Sequence, residues 1–442
     1  MRPPLTGRRM EPLDGPDQNG PYQNGPDQNE SALAPAGSQA RRILVPGFLI
    51  QVVLAYAACR LLTGVLLTID AARQVPTGWT GPVVNYLTFS AQWDGQWYQQ
   101  IAASGYPAVL PVDSLGVVQQ NPWAFYPLFP LLCRFVMDGF GLSFYAAGST
   151  LSLLLGFVAA IAMAKLFEKR LGRRAALLSV VVWASFPAAA SLQVGYTEST
   201  AMALLTLALL ALSNERWLLA TSLAILTGLT RPIALPLAAV TLVALWLRWR
   251  RRGQDPISLG EGVSGLAGLA GCGVAGVLWP AIAWWVTGQS AAYTETMSSW
   301  RAGHEITPFH PWMDMSRYYF GQTWGPVWLT VTFVVIAVMV LGPWAARLGP
   351  ELRTWSLAYP AYLLAVLDPF TSIFRYLIPL FPLVPVMIGV AGRQPAPAGP
   401  RSLTRTTWVV ARGGVLLALF VVGQWYWIDV LWRFVPPTDY PP

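Results

Sequence analysis

From residue 43 onward, the chain alternates long apolar runs with short polar segments that are rich in arginine. A helix that crosses a bilayer needs about 20 consecutive apolar residues. By that measure the pattern predicts an all-α polytopic membrane protein with about 11 transmembrane helices, several of them short. The apolar runs cover residues 43–69, 142–166, 175–193, 199–213, 217–230, 233–247, 263–287, 323–346, 354–367, 376–392 and 408–430.

The composition leads to the same class of protein. Apolar residues make up 54% of the 442 residues and charged residues only 11%, whereas soluble domains carry about 25% charged residues. The mean hydropathy is +0.46, and 21 tryptophans suit long belts at the membrane interface. The formal charge of +8 is therefore interpreted as membrane topology, and we expect no nucleic-acid partner.

The first 42 residues differ from the rest of the chain. The stretch GPDQNGPYQNGPDQNE repeats a short polar unit, and the segment is rich in Pro, Gly, Asn and Gln. Such a composition cannot bury enough apolar surface to fold, which predicts a disordered tail over residues 1–42. The apolar run that follows is long enough to span the membrane, so the tail is not interpreted as a signal peptide. Residues 43–442 form the predicted integral membrane domain.

The distribution of basic residues indicates the orientation. With a cytoplasmic N-terminus, all but eight of the 29 Lys and Arg residues fall in predicted inner segments, as the positive-inside rule requires. This orientation predicts a multi-pass protein of the plasma membrane, with a first outer loop at residues 70–141 and a second at 288–322. Basic residues that break this bias are functional candidates. They are Arg60, Arg73, Arg134, Arg231, Arg301, Arg317, Arg375 and Arg433.

The first outer loop contains the sequence AQWDGQWYQQIAASGYP. Trp93, Trp97 and Ile101 recur at four-residue spacing, which predicts one apolar stripe on an interfacial helix that lies on the outer leaflet. Ser90 is the predicted N-cap, and Gly105 is predicted to end the helix.

Asp94 falls in the first turn of this predicted helix, where the helix dipole stabilises a negative charge. A carboxylate that only stabilises the start of a helix would occupy the same position. Three further outer segments are unusual for connecting loops, being aromatic, proline-rich or charged. They are NPWAFYPLFPLLCR at 121–134, GYTES at 195–199 with Glu198, and LDPFTSIFRYLIPLFP at 367–382 with Asp368 and Arg375. Asp94, Glu198 and Arg375 therefore share one predicted face of the membrane.

The order of these motifs resembles the bacterial branch of the PIG-V family of mannosyltransferases. The matching residues are WD and then GYP in the first outer loop, FYPLFP, GYTES and the arginine of LTRP. Two positions depart from the family pattern: Pro232 follows Arg231, and Gly95 follows Asp94, so no adjacent pair of carboxylates exists. The resemblance implies a GT-C type membrane glycosyltransferase that takes a sugar from a polyprenyl or dolichyl monophosphate at the outer surface. It also implies that Asp94 is the catalytic base.

The chemistry of such a transfer fits these residue types. A carboxylate accepts the proton of the attacking hydroxyl, and arginine binds two oxygens of a phosphate with its planar fork. Arg375 is the first candidate for this phosphate contact and Arg231 the second, and Arg301 or Arg317 fits a mobile loop over the donor. Each of these arginines also fits a structural salt bridge or an interface anchor. The further candidates for donor or substrate binding are Trp93, Tyr126, Glu198 and His304.

The predicted reaction is inverting transfer of a hexose to a hydroxyl of an outer-leaflet or exported acceptor. The resemblance implies mannose, and the acceptor is a glycolipid, a polysaccharide or a protein. The polyprenyl-phosphate sugar is the donor substrate, and membrane lipids are the other expected partners. The stretch HEITPFH at 304–310 lacks the spacing of a zinc site, so no resident metal is expected. Glu305 and Asp314 fit either contacts to the sugar hydroxyls or a divalent ion, and the sequence leaves both open.

Two other classes of function remain open at the level of the sequence. A polytopic transporter or flippase of lipid-linked or small substrates has a similar number of spans, but it is expected to show paired halves, and no half-to-half similarity is visible. A noncatalytic membrane scaffold is the second alternative. In that case, substitution of Asp94 is expected to leave function intact.

Overall fold

The computed structural model describes residues 47–301, 307–393, 401–437 and 442, with only the backbone of 401–405. The predicted tail at 1–42 lies outside these residues. Within them the protein is all-helical, and the β pairing consists of two isolated bridges. In chain order the α-helices are α1 (Phe48–Arg73), α2 (Tyr86–Phe89), α3 (Asp94–Ser104), α4 (Leu128–Phe140), α5 (Phe144–Leu171), α6 (Arg173–Ala184), α7 (Glu198–Leu212), α8 (Trp217–Gly228), α9 (Pro236–Arg250), α10 (Leu259–Thr287), α11 (Ala292–Ser299), α12 (His310–Phe320), α13 (Trp324–Leu341), α14 (Pro350–Val366), α15 (Ile373–Leu377), α16 (Val384–Met387) and α17 (Arg401–Trp427).

Shorter turns of other helix types connect several of these elements. Turns of 3₁₀-helix cover Pro122–Ala124, Pro187–Leu192, Pro343–Ala345 and Ile378–Leu383, and a π-turn covers Ile428–Trp432.

Five helices in the described part of the chain are long and apolar enough to cross a membrane. They are α1, α5, α10, α13 and the segment Thr406–Trp432, which comprises most of α17 and the π-turn. The shorter apolar helices α7 and α8 lie between them in the sequence. The all-α architecture and a multi-pass membrane protein are therefore confirmed, and the number of eleven crossings stays a prediction.

Two of the predicted apolar runs are interrupted, and proline is the physical reason at both. The run at 175–193 contains α6, which ends at Ala184, and then the 3₁₀ turn that starts at Pro187. The run at 376–392 is divided among the end of α15, a 3₁₀ turn and the four-residue α16. Proline has no N–H group to donate within a helix, and its ring clashes with the preceding turn.

The interruption after α6 leaves backbone carbonyls without helical partners, and side chains from two long helices bind them. Arg60 of α1 donates to the carbonyls of Ala184 and Ala189. Gln424 of α17 donates to the carbonyl of Phe186 at 3.3 Å. Since backbone groups within a membrane must be satisfied internally, Arg60 has a structural task here.

The helix predicted in the first outer loop exists, but it begins later than expected. α3 starts at Asp94, and the predicted N-cap Ser90 is wrong: its hydroxyl donates to the carbonyl of Leu87 and pairs with Ser149 instead. The C-terminal end is confirmed, because Gly105 ends the helix with a positive φ of 76°, a conformation in which glycine is favoured.

Close packing of α8 on α10 depends on small residues. A Cβ on Gly228, the last residue of α8, would lie 2.4 Å from the carbonyl oxygen of Ala275 in α10. A Cβ on Gly271 would lie 2.5 Å from the side chain of Thr221 in α8, and a Cβ on Gly265 would lie 2.4 Å from that of Leu245 in α9. Small residues allow helix backbones to approach closely within membranes. A Cβ on Gly273, by contrast, would meet nothing within 4 Å.

Gly228→Ala is expected to lower the stability of the purified protein by about 1–3 kcal/mol, since the added methyl group forces the backbones of α8 and α10 apart. The measurement is the thermal unfolding midpoint in detergent. Gly273→Ala is the matched control, with an expected change near zero or a small gain because alanine favours the helix. Equal midpoints for both variants would contradict the assigned packing of α8 on α10.

Candidate active site

Four charged side chains that are distant in sequence contact one another in a row. Nη2 of Arg375 lies 2.9 Å from Oδ2 of Asp94, and its Nη1 lies 3.2 Å from Oε1 of Glu198. Arg231 donates to the same oxygen of Glu198. The row Asp94, Arg375, Glu198 and Arg231 is called the charge chain below. It contains two cations and two anions, so its formal charges balance.

The members of the charge chain differ in accessibility. The side chains of Glu198 and Arg375 are 3% and 6% exposed, whereas that of Asp94 is 21% exposed. Asp94 is therefore the carboxylate of the chain that an incoming molecule can reach. Oε2 of Glu198 and Nε of Arg375 are buried without hydrogen-bond partners among the described residues.

The GYTES motif reaches α3 because glycine lets two segments approach closely. The N–H of Gly195 donates to the carbonyl of Ser90 at 2.9 Å. A Cβ on Gly195 would lie 3.4 Å from the ring of Phe144, and a Cβ on Gly148 would lie 3.2 Å from the Cα of Gly195. This contact brings Glu198, at the start of α7, to the start of α3.

Tyr196 of the same motif holds the first residue of α3. Its hydroxyl accepts from the backbone N–H of Asp94 at 3.0 Å and donates to the carbonyl of Gln92 at 3.2 Å. The Arg375 guanidinium lies over its ring, 4.9 Å from the centroid. Burial and the Asp94 carboxylate raise the pKa of Tyr196 well above its usual value, so the phenol stays protonated and keeps donating.

Arg375 remains charged in this environment. Burial by itself lowers the pKa of Arg375, but Asp94 and Glu198 raise it by more, so the net pKa lies well above the usual value. Its guanidinium can thus hold both carboxylates at every physiological pH. Asp94 is fixed from both ends, by the arginine at its carboxylate and by Tyr196 at its backbone.

Trp93, a predicted donor or substrate contact, is 6% exposed and packs against protein, and its contact with donor or substrate stays a prediction. Its indole N–H donates to the carbonyl of Trp432 at 2.8 Å, and its ring packs on Trp79 and Phe434 at centroid distances of 4.8 and 5.6 Å. The backbone of Trp93 has a φ of 56°, which costs energy for a bulky residue and must be maintained by such surroundings. With Ile101 also fully buried, the predicted apolar stripe faces protein over much of its length.

A second group of charged residues fixes the π-turn that contains Trp432, the hydrogen-bond partner of Trp93. Nη1 of Arg73 lies 2.8 Å from Asp70 and 2.7 Å from Asp429, and Arg433 lies 2.9 Å from Asp429. These pairs tie the end of α1 to the π-turn that contains Trp432. Arg73 and Arg433 therefore have partners that explain their departure from the topological bias.

The other end of α3 is held by Arg134. Its Nε and Nη2 donate to the carbonyls of Ala102 and Ala103 at 2.6 and 2.7 Å. Cations that bind the last carbonyls of a helix stabilise it and complement its dipole. The helix that carries Asp94 is thus anchored at both ends.

Aromatic rings cover α3 beyond Asp94. Trp97 stacks on Phe125 at 5.7 Å and meets Trp300 edge-on at 5.3 Å. Tyr126, the predicted donor contact, shares a hydrogen bond of 3.1 Å with Tyr293. Rings of this kind are suited to stack on sugars or prenyl groups because they present broad apolar faces with a few polar atoms.

The remaining predicted residues lie outside the charge chain. Arg301 pairs with Asp368 at 2.9 Å, and Arg317 pairs with Asp314 on α12 at 3.3 Å. His304 and Glu305 lie outside the described residues. In the described part of the chain, no group of three or more His, Cys, Asp or Glu side chains could hold a metal ion.

Sequence reasoning missed Tyr196, Tyr376 and Trp432 as parts of the site. Tyr196 and Tyr376 adjoin the predicted residues of their motifs, and the ring of Tyr376 lies 4.7 Å from the Arg231 guanidinium, so adjacency was an available signal. Trp432 lies beyond any motif, and no local pattern pointed to its contact with Trp93.

Comparisons with known proteins assign no family. No family model and no curated protein matches the chain. A solved structure similar to this chain is the crystal structure of ArnT from Cupriavidus metallidurans bound to undecaprenyl phosphate. The TM-score is 0.47 at 14% sequence identity, and the match covers 86% of this chain and 76% of that chain. A likeness at this level assigns neither a family nor an activity.

Glu198→Gln is expected to destabilise the protein by about 3–5 kcal/mol, because it leaves two buried arginines without their shared carboxylate. Thermal unfolding of the purified protein measures this loss. Glu198→Gln combined with Arg231→Gln is expected to recover part of it, since the double variant removes one of the uncompensated charges.

Glu168→Gln is the matched control, because Glu168 pairs with the largely exposed Arg173 at 2.7 Å. Exposed pairs contribute about 0–1 kcal/mol. If both glutamates cost the same, Glu198 does not form the shared buried contact described above.

Proposed function

We propose that the protein is a GT-C type membrane glycosyltransferase that acts at the outer face of the plasma membrane. It transfers a hexose, taken as mannose from the motif resemblance, from a polyprenyl-phosphate sugar to a hydroxyl of an outer-leaflet or exported acceptor. The observation that carries this proposal is the position of Asp94, the accessible end of an otherwise buried chain of charges. The order of the WD, FYPLFP, GYTES and LTRP motifs supports it from the sequence.

In the proposed reaction Asp94 is the general base. Its carboxylate accepts the proton of the acceptor hydroxyl while the hydroxyl oxygen forms a bond to the anomeric carbon of the sugar. The bond from that carbon to the phosphate oxygen breaks, and its electron pair leaves with the phosphate. A phosphate leaves readily as an anion, so one base and a cation for the phosphate are a sufficient set.

The rest of the charge chain positions the base. Arg375 fixes the direction of the Asp94 carboxylate through one nitrogen and is itself held by Glu198 through another. Arg231 completes the compensation of Glu198. A base held by a rigid arrangement loses little freedom when the acceptor binds, which favours the reactive geometry. Phosphate contacts by Arg375 and Arg231 stay predictions, as does a donor or substrate contact by Glu198.

Asp94→Asn is expected to reduce sugar transfer by about 10²–10⁴-fold, the usual contribution of a general base. The measurement is transfer of radiolabelled sugar from polyprenyl-phosphate mannose to extracted membrane acceptors, with wild-type and variant membranes at matched protein levels. Asp138→Asn is the matched control, since Asp138 is exposed on α4; full activity is expected there.

Each outcome of this assay has a separate meaning. Loss of transfer in Asp94→Asn alone supports the proposed base. Equal transfer by wild type and Asp94→Asn makes Asp94 a structural residue and moves the search for the base to Glu198. No transfer by the wild type contradicts the assigned donor, acceptor or enzyme class.

The product is expected to have the inverted anomeric configuration relative to the donor, because a single carboxylate base directs attack from the face opposite the phosphate. Nuclear magnetic resonance of the new glycosidic linkage measures the configuration. A retained configuration would require a covalent intermediate or two successive inversions, and it would overturn the one-base mechanism.

A further inference from the structure

Two adjacent residues, Trp300 and Arg301, present buried hydrogen-bond donors that the fold does not use. Nε1 of Trp300 and Nη1 of Arg301 are both buried without an acceptor among the described residues. A buried polar group without a partner is rare in folded proteins and calls for an explanation such as a ligand. A ligand group that only accepts hydrogen bonds would satisfy such donors on two consecutive residues.

The guanidinium of Arg301 is held in place by its other two nitrogens. Nε lies 2.9 Å from Oδ2 of Asp368, and Nη2 donates to the carbonyl of Val366 at 3.2 Å. The side chain of Arg301 is 14% exposed. The free Nη1 therefore has a fixed position before any ligand arrives, which lowers the entropic cost of binding.

Arg301 differs in this respect from the arginines of the charge chain. Arg375 directs both of its terminal nitrogens at carboxylates, and Arg231 shares Glu198 with it. Among the described residues, Arg301 contacts one carboxylate, that of Asp368, which is 42% exposed. A terminal nitrogen with two N–H groups is thus available at Arg301.

An apolar cavity is lined by residues that lie close in sequence to the partners of Arg301. It has a volume of about 640 Å³ and lies among α12, α13, α14 and residues 369–380, within the range of about 300–1,000 Å³ typical of ligand pockets. Leu363 and Pro369, which line it, flank Val366 and Asp368 closely in sequence. Trp328 on the candidate span α13 and Phe370 also line it and are 53% and 41% exposed, so the cavity opens at the surface of the protein beside a candidate span.

The cavity and Asp94 lie on two sides of the same short helix. Ile373, Phe374 and Leu377 of α15 line the cavity, while Arg375 of α15 contacts Asp94. Trp300 in turn packs on Trp97, which lies one turn after Asp94 on α3. A ligand with its head at Trp300 and Arg301 and its tail in the cavity therefore adjoins the proposed base.

We infer that Trp300 and Arg301 bind the phosphate of the lipid carrier, with Nε1 and Nη1 as donors, and that the apolar cavity holds the first part of the isoprenoid chain. This inference rests on the proposed function, since it assigns the donor lipid of the same site. Phosphate offers several acceptor oxygens and no donors when ionised, which matches the two unused N–H groups. A branched, flexible hydrocarbon chain matches a cavity lined by aromatic and aliphatic side chains that opens to lipid.

The test is direct binding of undecaprenyl phosphate to the purified full-length protein in lipid nanodiscs, measured by native mass spectrometry. Inorganic phosphate and dioleoyl phosphatidic acid are the comparison ligands, because they separate the phosphate group and an ordinary phospholipid from an isoprenoid phosphate. We expect undecaprenyl phosphate to bind more tightly than either. Arg301→Gln is expected to weaken its binding by about tenfold or more.

Two further variants test the parts of the site separately. Trp300→Phe removes the N–H and keeps a ring against Trp97, so we expect a loss of about threefold to tenfold in affinity. Thr332→Trp fills the cavity and is expected to weaken binding of undecaprenyl phosphate without affecting inorganic phosphate. Arg317→Gln and the exposed Trp285→Phe are the matched controls, with unchanged binding expected. Thermal unfolding verifies that each variant is folded.

Equal binding by wild type, Arg301→Gln and Trp300→Phe would overturn the assigned phosphate site. Equal affinity for phosphatidic acid and undecaprenyl phosphate would overturn the isoprenoid assignment in favour of a phospholipid groove. If binding of undecaprenyl phosphate depends on Arg301 while Asp94→Asn still transfers sugar, the carrier site stands and the proposed base fails. If sugar transfer depends on Asp94 while Arg301→Gln binds undecaprenyl phosphate normally, the proposed base stands and the carrier site fails.

Discussion

The carboxylate of Glu198 compensates two buried arginines, and the arrangement around Asp94 depends on it. Arg375 and Arg231 both contact Oε1 of Glu198, and Arg375 then directs its remaining terminal nitrogen at Asp94. Charges removed from water are costly unless they are paired with good geometry. The four side chains therefore hold one another, and the one that remains accessible is Asp94. A rigid carboxylate at the surface of a buried ionic row is well suited to accept a proton from a bound hydroxyl.

The breaks in helical structure also help to position the charged residues of the site. Prolines follow the ends of α6 and α15, and these interruptions adjoin GYTES, which contains Glu198, and α15, which contains Arg375. The exposed backbone carbonyls after α6 are bound by Arg60 and Gln424 from two other helices. Irregular backbone is tolerated in a membrane protein only where such partners exist. The long helices thus form the frame that fixes the irregular segments of the site.

Most of the basic residues that break the topological bias have partners in the fold. Arg60 and Arg134 bind helix carbonyls, and Arg73 and Arg433 pair with Asp70 and Asp429 around the π-turn. These contacts position the start of α3 through Trp432 and Trp93. Arg301 is different, because one of its terminal nitrogens is buried without a partner among the described residues. That difference distinguishes a structural cation from one that is available to a phosphate.

The sequence by itself determined the class of protein, the approximate positions of its long helices and the short motifs around Asp94, Glu198 and Arg375. Apolar length and the scarcity of charge are properties of the chain, so a reader of the sequence can measure them directly. Only the tertiary structure decided that α3 begins at Asp94 without a cap from Ser90, that Trp93 faces protein, and that Arg375 joins Asp94 to Glu198. Two partners that are 100 or more residues apart produce no pattern in the sequence near either of them. Their ion pairs and aromatic contacts depend on distances in space, and these distances are set by how the helices pack.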